Sequence, residues 1–213
     1  MCDKPTPEDL FERNKEWAQS KLELDQEYFS RLRDIQRPNY LWIGCSDSRV
    51  PANEIVGMDP GELFVHRNVA NIVPHSDMNC LAVIQYAVEI LKVEHIIVTG
   101  HYNCGGIRAA ISDSDHGQID NWLANIKDIL KANYEELSAI EDEQAKVDRL
   151  CELNVIQQVR NVGKTSILQK AWRNNQKVTV HGWVYGLHDG LIRDMNVDIS
   201  SINQIHEAYQ IRS

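Results

Sequence analysis

Short apolar runs alternate along this chain with longer stretches in which apolar residues recur at helical spacing. Tyr40 to Ile43, Leu63 to His66, residues 95–99 and Lys177 to Tyr185 have strand length and are bounded by Gly, Pro or polar clusters. A fifth strand is predicted over 190–194, joined to the fourth through a turn at 186–189. That loop is short enough for an antiparallel hairpin at one edge. Helices are predicted between the strands. Residues 79–91 put Leu81, Ile84, Val88 and Leu91 on one face, and 119–137 bring Ile119, Leu123, Ile126 and Leu130 into phase. A long helical pattern covers 145–173. Shorter helices are expected from Val50-Pro51 to Val56 and over Ile107 to Ile111, and a last one over 200–209. Residues 68–77 and 112–118 read as irregular or turn-like. Strands separated by helices imply crossover connections, and so an α/β fold with a mostly parallel sheet.

Residues 7–36 carry Leu10, Phe11, Trp17, Leu22, Leu24, Phe29 and Leu32 among many charges, which predicts a helical arm with breaks. Thr6-Pro7-Glu8-Asp9 offers a cap and early acidic residues at its start, and Pro38 ends it. We expect one domain over 1–213, made of an arm (1–37) and an α/β core (38–213). The pattern suits an arm packed on its own core or on a second subunit.

Composition narrows the partners. A formal charge of -9 argues against general nucleic-acid binding, which needs a basic face. The lack of an 18-residue apolar run predicts no membrane span. The charged first thirty residues hold no apolar signal core, so the cytoplasm is the expected location. Five cysteines, an odd number, are then thiols rather than disulfides. Cys2, Cys80 and Cys151 stand alone in helical surroundings and read as small buried hydrophobes.

Two strand ends carry the candidate chemistry. Trp42-Ile43-Gly44 leads into Cys45-Ser46-Asp47-Ser48-Arg49, and residues 95–100 lead into His101-Tyr102-Asn103-Cys104-Gly105-Gly106. The C-terminal ends of parallel strands are where α/β sheets build sites. Cys45, Asp47, His101 and Cys104 make a donor set for tetrahedral zinc, and the 56 residues from Cys45 to His101 exclude a small zinc finger. The carboxylate favours catalysis over a closed structural site, since Arg49 can hold Asp47 off the metal by a bidentate bond and leave the position to water. Asp47 would then accept the proton of that acidified water. A cysteine phosphatase loop is a rival reading, but three residues between Cys45 and Arg49 are too few for its five-residue phosphate loop. A zinc-binding interaction module is the other; chelation would unfold that module but would first stop an enzyme's turnover.

Cys45 through Arg49, Phe64-Val65-His66-Arg67-Asn68-Val69-Ala70-Asn71, Gly100-His101 through Cys104-Gly105-Gly106 and His181-Gly182-Trp183 together resemble the β-class carbonic anhydrases, in the family's order and over most of residues 40–195. The nearest likeness is expected among the bacterial enzymes. The resemblance implies strands in the order 2-1-3-4 with a fifth at the edge. It also implies a homodimer, often paired into a homotetramer, with the arm embracing the neighbour. The implied reaction is the reversible hydration of carbon dioxide to bicarbonate and a proton. The implied cofactor is one Zn2+ per chain, on Cys45, His101, Cys104 and either Asp47 or water. In a bicarbonate-regulated subgroup, residues matching Trp42, Arg67 and Tyr185 form a noncatalytic bicarbonate pocket, which is expected here too. His188 and Asp189, near Tyr185, are left without a site role; a turn and an edge-strand role are expected for them rather than catalysis.

Overall fold

The computed structural model describes residues 4–34 and 36–211; the expectation for Cys2 lies outside them. The chain divides into two compact units, one ending at Arg37 and one beginning at Pro38.

The first unit holds two helices, α1 (Pro7–Leu24) and α2 (Tyr28–Asp34). The expected break falls at residues 25–27. Thr6 and Asp9 form a reciprocal capping box, with Pro7 at the first helical position. Trp17, Tyr28 and Phe29 pack edge to face within the unit. No residue of α1 is buried, and Leu10, Phe11 and Leu24 are more than half exposed.

The second unit is built on a five-stranded sheet in the order β2-β1-β3-β4-β5, as expected. Its strands are β1 (Tyr40–Cys45), β2 (Leu63–Asn68), β3 (His95–His101), β4 (Thr179–Tyr185) and β5 (Ile192–Asp194). The first four are parallel and β5 returns antiparallel. Around them lie α3 (Ala52–Val56), α4 (Met78–Gln85), α5 (Gly105–Ile111), α6 (Ile119–Ala132), α7 (Tyr134–Ser138), α8 (Glu143–Lys164) and α9 (Ser166–Arg173). No helix among the described residues is long and apolar enough to cross a membrane.

Several boundaries differ from the sequence reading. The helix over 79–91 is α4 followed by a π-helical turn, Tyr86–Leu91. Its buried stripe is Cys80, Ile84, Ala87 and Val88, with Leu81 and Leu91 only half-buried. The stretch 119–137 is cut into α6 and α7 at Asn133, and Ile119 stays exposed. The 145–173 pattern breaks at Thr165, whose hydroxyl caps α9 by accepting from the Leu168 amide. The helix expected over 200–209 is absent; two 3-10 turns, Ile202–Gln204 and Glu207–Tyr209, stand there instead. That segment is polar, and side chains take part of its backbone from a helical ladder: the Ser200 amide donates to Gln204, and the Gln210 side chain donates to the Ile205 carbonyl.

The main core lies on one face of the sheet. Leu41, Ile43, Ile96, Val98, Val180 and Val184 meet Val155, Val159 and Val162 of α8. Each fully buried aliphatic side chain there contributes about 1.5–3 kcal/mol. Helix α8 approaches closely because β3 and β4 carry glycine under it: a Cβ at Gly100 would sit 2.7 Å from Val155, and one at Gly182 3.0 Å from Val159. This close contact packs α8 over the ends of β3 and β4. The opposite face holds a smaller cluster, Trp42, Ala52, Leu63 and Ile97.

Candidate active site and metal centre

The order β2-β1-β3 makes the strands before Cys45 and His101 neighbours, with Gly44 paired to Thr99. The two ligand loops therefore leave the same sheet edge side by side. Cys45, His101 and Cys104 are buried at 5%, 1% and 2% exposure, and their ligand atoms all lie within 4.8 Å of one another. The sulfurs face each other at 3.9 Å. The fold thus brings Cys45 together with His101 and Cys104, which lie 56 and 59 positions further along the chain.

Each ligand is oriented from behind. His101 Nδ1 meets the Tyr102 carbonyl at 3.0 Å, and a carbonyl only accepts, so Nδ1 carries the proton and Nε2 keeps its lone pair in the neutral ring. Nε2 is buried and has no hydrogen-bond partner. An orphaned buried acceptor costs about 1–3 kcal/mol, and a cation bound between it and the two sulfurs would remove that cost. This donor set fits zinc. The Ala70 amide donates to Cys45 Sγ at 3.4 Å, so a positive dipole faces that sulfur. Ala70 holds a left-handed φ of 63° to do this, fixed by the Asn154 amide, which donates to its carbonyl. Cys45 is the more acidic of the two thiols: Cys104 donates to it and holds it well below the ordinary range, while the same pairing and burial push Cys104 up.

Asp47 and Arg49 stand at the mouth. Arg49 Nε donates to Asp47 Oδ1 at 2.9 Å and Nη2 to Oδ2 at 2.7 Å, while the Arg49 amide also reaches Oδ1. These bonds hold the Asp47 carboxyl well below the usual carboxylate range. Asp47 Oδ2 lies 3.7 Å from His101 Nε2, so the carboxylate borders the ligand cluster while engaged by Arg49. The second loop is pinned too: the Asn103 amide donates to Asp148, and Arg108 donates to the Asn103 side-chain oxygen.

Trp42, Arg67 and Tyr185 share one sheet face by register, the face that also carries Gly44 and His101. Trp42 is fully buried, its indole lies against Gly44, and its Nε1–H has no partner. Arg67, opposite Gly44, donates from Nε to the Cys45 carbonyl at 2.8 Å and from Nη2 to the Asp47 carbonyl. Tyr185 is half-buried beside His101. No hydrogen bond joins the three side chains among the described residues. Asp189 pairs with Arg193 and turns the β4–β5 hairpin, as expected, and His188 Nε2 lies 3.4 Å from it.

Sequence reasoning missed the supports. Asn68 brackets the 69–71 turn by bonding both the amide and the carbonyl of Ile72. Asn154, Asp148 and Gln158 reach the site region from α8, more than forty residues away in sequence. The polar residues Asn154 and Gln158, four apart on the otherwise apolar face of α8, were the available signal.

Comparison with known proteins agrees with this geometry. The family model described as Carbonic anhydrase matches residues 40–192. The carbonic anhydrase of Emericella nidulans is 51% identical over 197 residues, covering 92% of this chain and 86% of its own. That of Pseudomonas aeruginosa is 35% identical, covering 85% of this chain and 81% of its own. The expected likeness to bacterial enzymes is therefore exceeded by a fungal one. A solved structure, one of two tetrameric β-carbonic anhydrases of Sordaria macrospora, superposes with a TM-score of 0.86 at 40% identity, covering 90% of this chain and 97% of that one. By family match, relatives and fold, this chain belongs to the β-class carbonic anhydrases, the enzymes that interconvert carbon dioxide and bicarbonate.

Proposed function

We propose that the hydration proceeds at one zinc per chain held by Cys45, His101 and Cys104, with Asp47 and Arg49 as the catalytic pair. The observation that carries this reading is the orphaned His101 Nε2, set between two facing thiols and bordered by Asp47. When bound, zinc supplies the Lewis acidity that brings the pKa of a water toward neutrality. Asp47 does the orienting: it is ionised across the neutral range, so it accepts a hydrogen bond from the water and aims it. The same depressed pKa makes Asp47 a poor store for the proton, which passes on to solvent. Arg49 keeps Asp47 at the mouth and off the ligand position. Chelation tests the reading. Hydration activity should vanish before the fold is lost and return with added zinc; full activity in metal-free protein would sink it.

A second reading concerns regulation. We infer that bicarbonate binds at Trp42, Arg67 and Tyr185 and inhibits from outside the catalytic pocket. It is supported by the unpartnered Trp42 Nε1–H and by the occupation of Arg67, whose guanidinium holds the Cys45 and Asp47 carbonyls. An anion that draws Arg67 toward itself weakens those two bonds and frees the loop, so it binds best to the state in which Asp47 has left Arg49. Tyr185→Phe is the cleaner variant, because Arg67→Ala also loosens the loop. Unchanged noncompetitive inhibition by bicarbonate in Tyr185→Phe would reduce Tyr185 to a structural role.

The active unit is proposed to be a homodimer, paired into a homotetramer. The tetrameric state of the Sordaria macrospora enzymes and the exposed Leu10, Phe11 and Leu24 of α1 support it.

A further inference from the structure

A second group of soft donors lies apart from the strand-end cluster. His66 on β2, Asp77 at the N-cap of α4 and Cys80 in its first turn offer ligand atoms that all lie within 4.8 Å of one another. His66 and Cys80 are buried and Asp77 is half-buried. The sequence reading took Cys80 for a small hydrophobe, and its burial in the main core agrees. Burial alone does not explain why an imidazole and a carboxylate converge on it.

Asp77 and Cys80 keep unused donor atoms, and His66 is held by one long hydrogen bond. The Asn68 amide is fixed by its two bonds to Ile72, so its other N–H faces His66 Nε2, at 3.3 Å. The Nε2 lone pair accepts that long bond, so the neutral ring carries its proton on Nδ1, burial lowers the His66 pKa in the same sense, and a cation would take the lone pair by displacing the Asn68 N–H. Neutral imidazole is the form a metal requires. Asp77 spends one oxygen on the Asn79 amide, at 3.0 Å, and the hydrogen bonds among the described residues leave its second oxygen unused. The Cys80 sulfur has no hydrogen-bond partner among them either. Burial pushes the Cys80 thiol up to about 12, with the Asp77 charge adding to the shift, so it is no free nucleophile; a cation beside it would reverse that. Asp77 also lines a cavity of about 620 Å³ with Pro74, Ser76, Gln118 and Trp122, which gives an ion a route from solvent.

We propose that His66, Asp77 and Cys80 form a second cation site, for a divalent metal of borderline-soft character such as zinc or cadmium, independent of the strand-end cluster. A thiolate, an imidazole and a carboxylate select that class over magnesium or calcium, which prefer oxygen alone. Three protein donors leave a fourth position for water and so make an open site with reversible occupancy.

Cadmium is the probe. The enzyme as purified, its metal content measured first, is titrated with Cd2+ and followed by thiolate-to-cadmium ultraviolet absorption and by metal content after desalting. Wild type should gain one further equivalent per chain while keeping the metal it already holds. Cys80→Ser and Asp77→Asn should each weaken that uptake by about tenfold or more. Asparagine is itself a good N-cap, so Asp77→Asn preserves α4 and decides the matter if Cys80→Ser does not fold. Absence of a further equivalent, cadmium gained only in exchange for resident metal, or equal uptake by wild type and Asp77→Asn would each overturn the proposal.

Discussion

Two clusters that join cysteine to histidine sit among the described residues, Cys45-His101-Cys104 and His66-Asp77-Cys80, each with its ligand atoms within 4.8 Å of one another. Their surroundings differ. Cys45 faces a donating thiol and the Ala70 amide, and its neighbour Asp47 is held by a guanidinium. Cys80 faces an apolar core, the His66 imidazole and the negative charge of Asp77. The first thiol is made acidic and the second is made inert. Donor type and burial therefore do not distinguish a reactive centre; the dipoles and charges that loops bring to it do. The first cluster lies at the last residues of two strands and the loop after one of them, where the amide of the neighbouring 69–71 turn points at sulfur. The second spans a strand and a helix, whose own ladders use most of their amides.

The sharpest test of the contrast is removal of one donor from the first cluster. His101→Ala and Cys104→Ser should each lose bound zinc and lower hydration by more than about 100-fold, because even residues that only support a metal ligand are worth about 10–100-fold. Metal analysis with stopped-flow hydration reads both effects, and full zinc retention in the two variants would break the ligand assignment. Arg49→Ala should keep zinc and lower activity by about 10–100-fold. It should also let the Asp47 carboxyl return toward its ordinary value of about 4. Because Arg49 depresses that pKa, the pair stabilises the fold above the ordinary value, and the contribution is lost as pH falls through the depressed one. Denaturation curves of wild type and variant should therefore stay apart at neutral and mildly acidic pH and converge in stronger acid. Curves that coincide at every pH would show that the pair has no such role.

Gly44→Ala is a smaller effect. Its Cβ would stand 2.3 Å from the Trp42 indole nitrogen. Overpacking of that kind costs about 1–3 kcal/mol, read as a lower midpoint in denaturant; an unchanged midpoint would mean that Trp42 moves freely. The smallest effect is expected from Cys80→Ala, which should leave the hydration rate unchanged and lower stability by about 1 kcal/mol through a small cavity. A loss of activity comparable with that of Cys104→Ser would erase the distinction between the two clusters.

Strands were the legible elements. Tyr40 to Ile43 and 95–99 stood out because buried parallel strands read as continuous apolar runs, and both extend further only through the glycine and the ligand that follow, to Cys45 and His101. Helix interruptions were harder. Asn133 and Thr165 sit within unbroken helical periodicity, and an apolar stripe continues across a break when both helices pack on the same core. The segment 200–209 failed for the opposite reason: its composition tolerates a helix, but its backbone closes only isolated 3-10 bonds and gives the Ser200 and Ala208 amides to side chains. Trp42 and Arg67 drew notice only through family resemblance, because a strand tryptophan and an arginine have ordinary structural uses.

The sequence by itself determined the alternation of strands and helices and the residue types placed at two strand ends. It also determined the presence of Asp47 two residues before Arg49, a pairing so local that the loop alone can form it. Tertiary structure decided what distance in the chain conceals. The crossovers made β1 and β3 neighbours and so turned two ligand pairs into one cluster. Packing of α8 delivered Asn154 to the Ala70 carbonyl and Asp148 to the Asn103 amide. The fold also brought His66 of β2 to Asp77 and Cys80 of α4, a proximity that no spacing announces. Local chemistry is written in adjacent residues, whereas contacts between distant ones depend on which faces the core buries together.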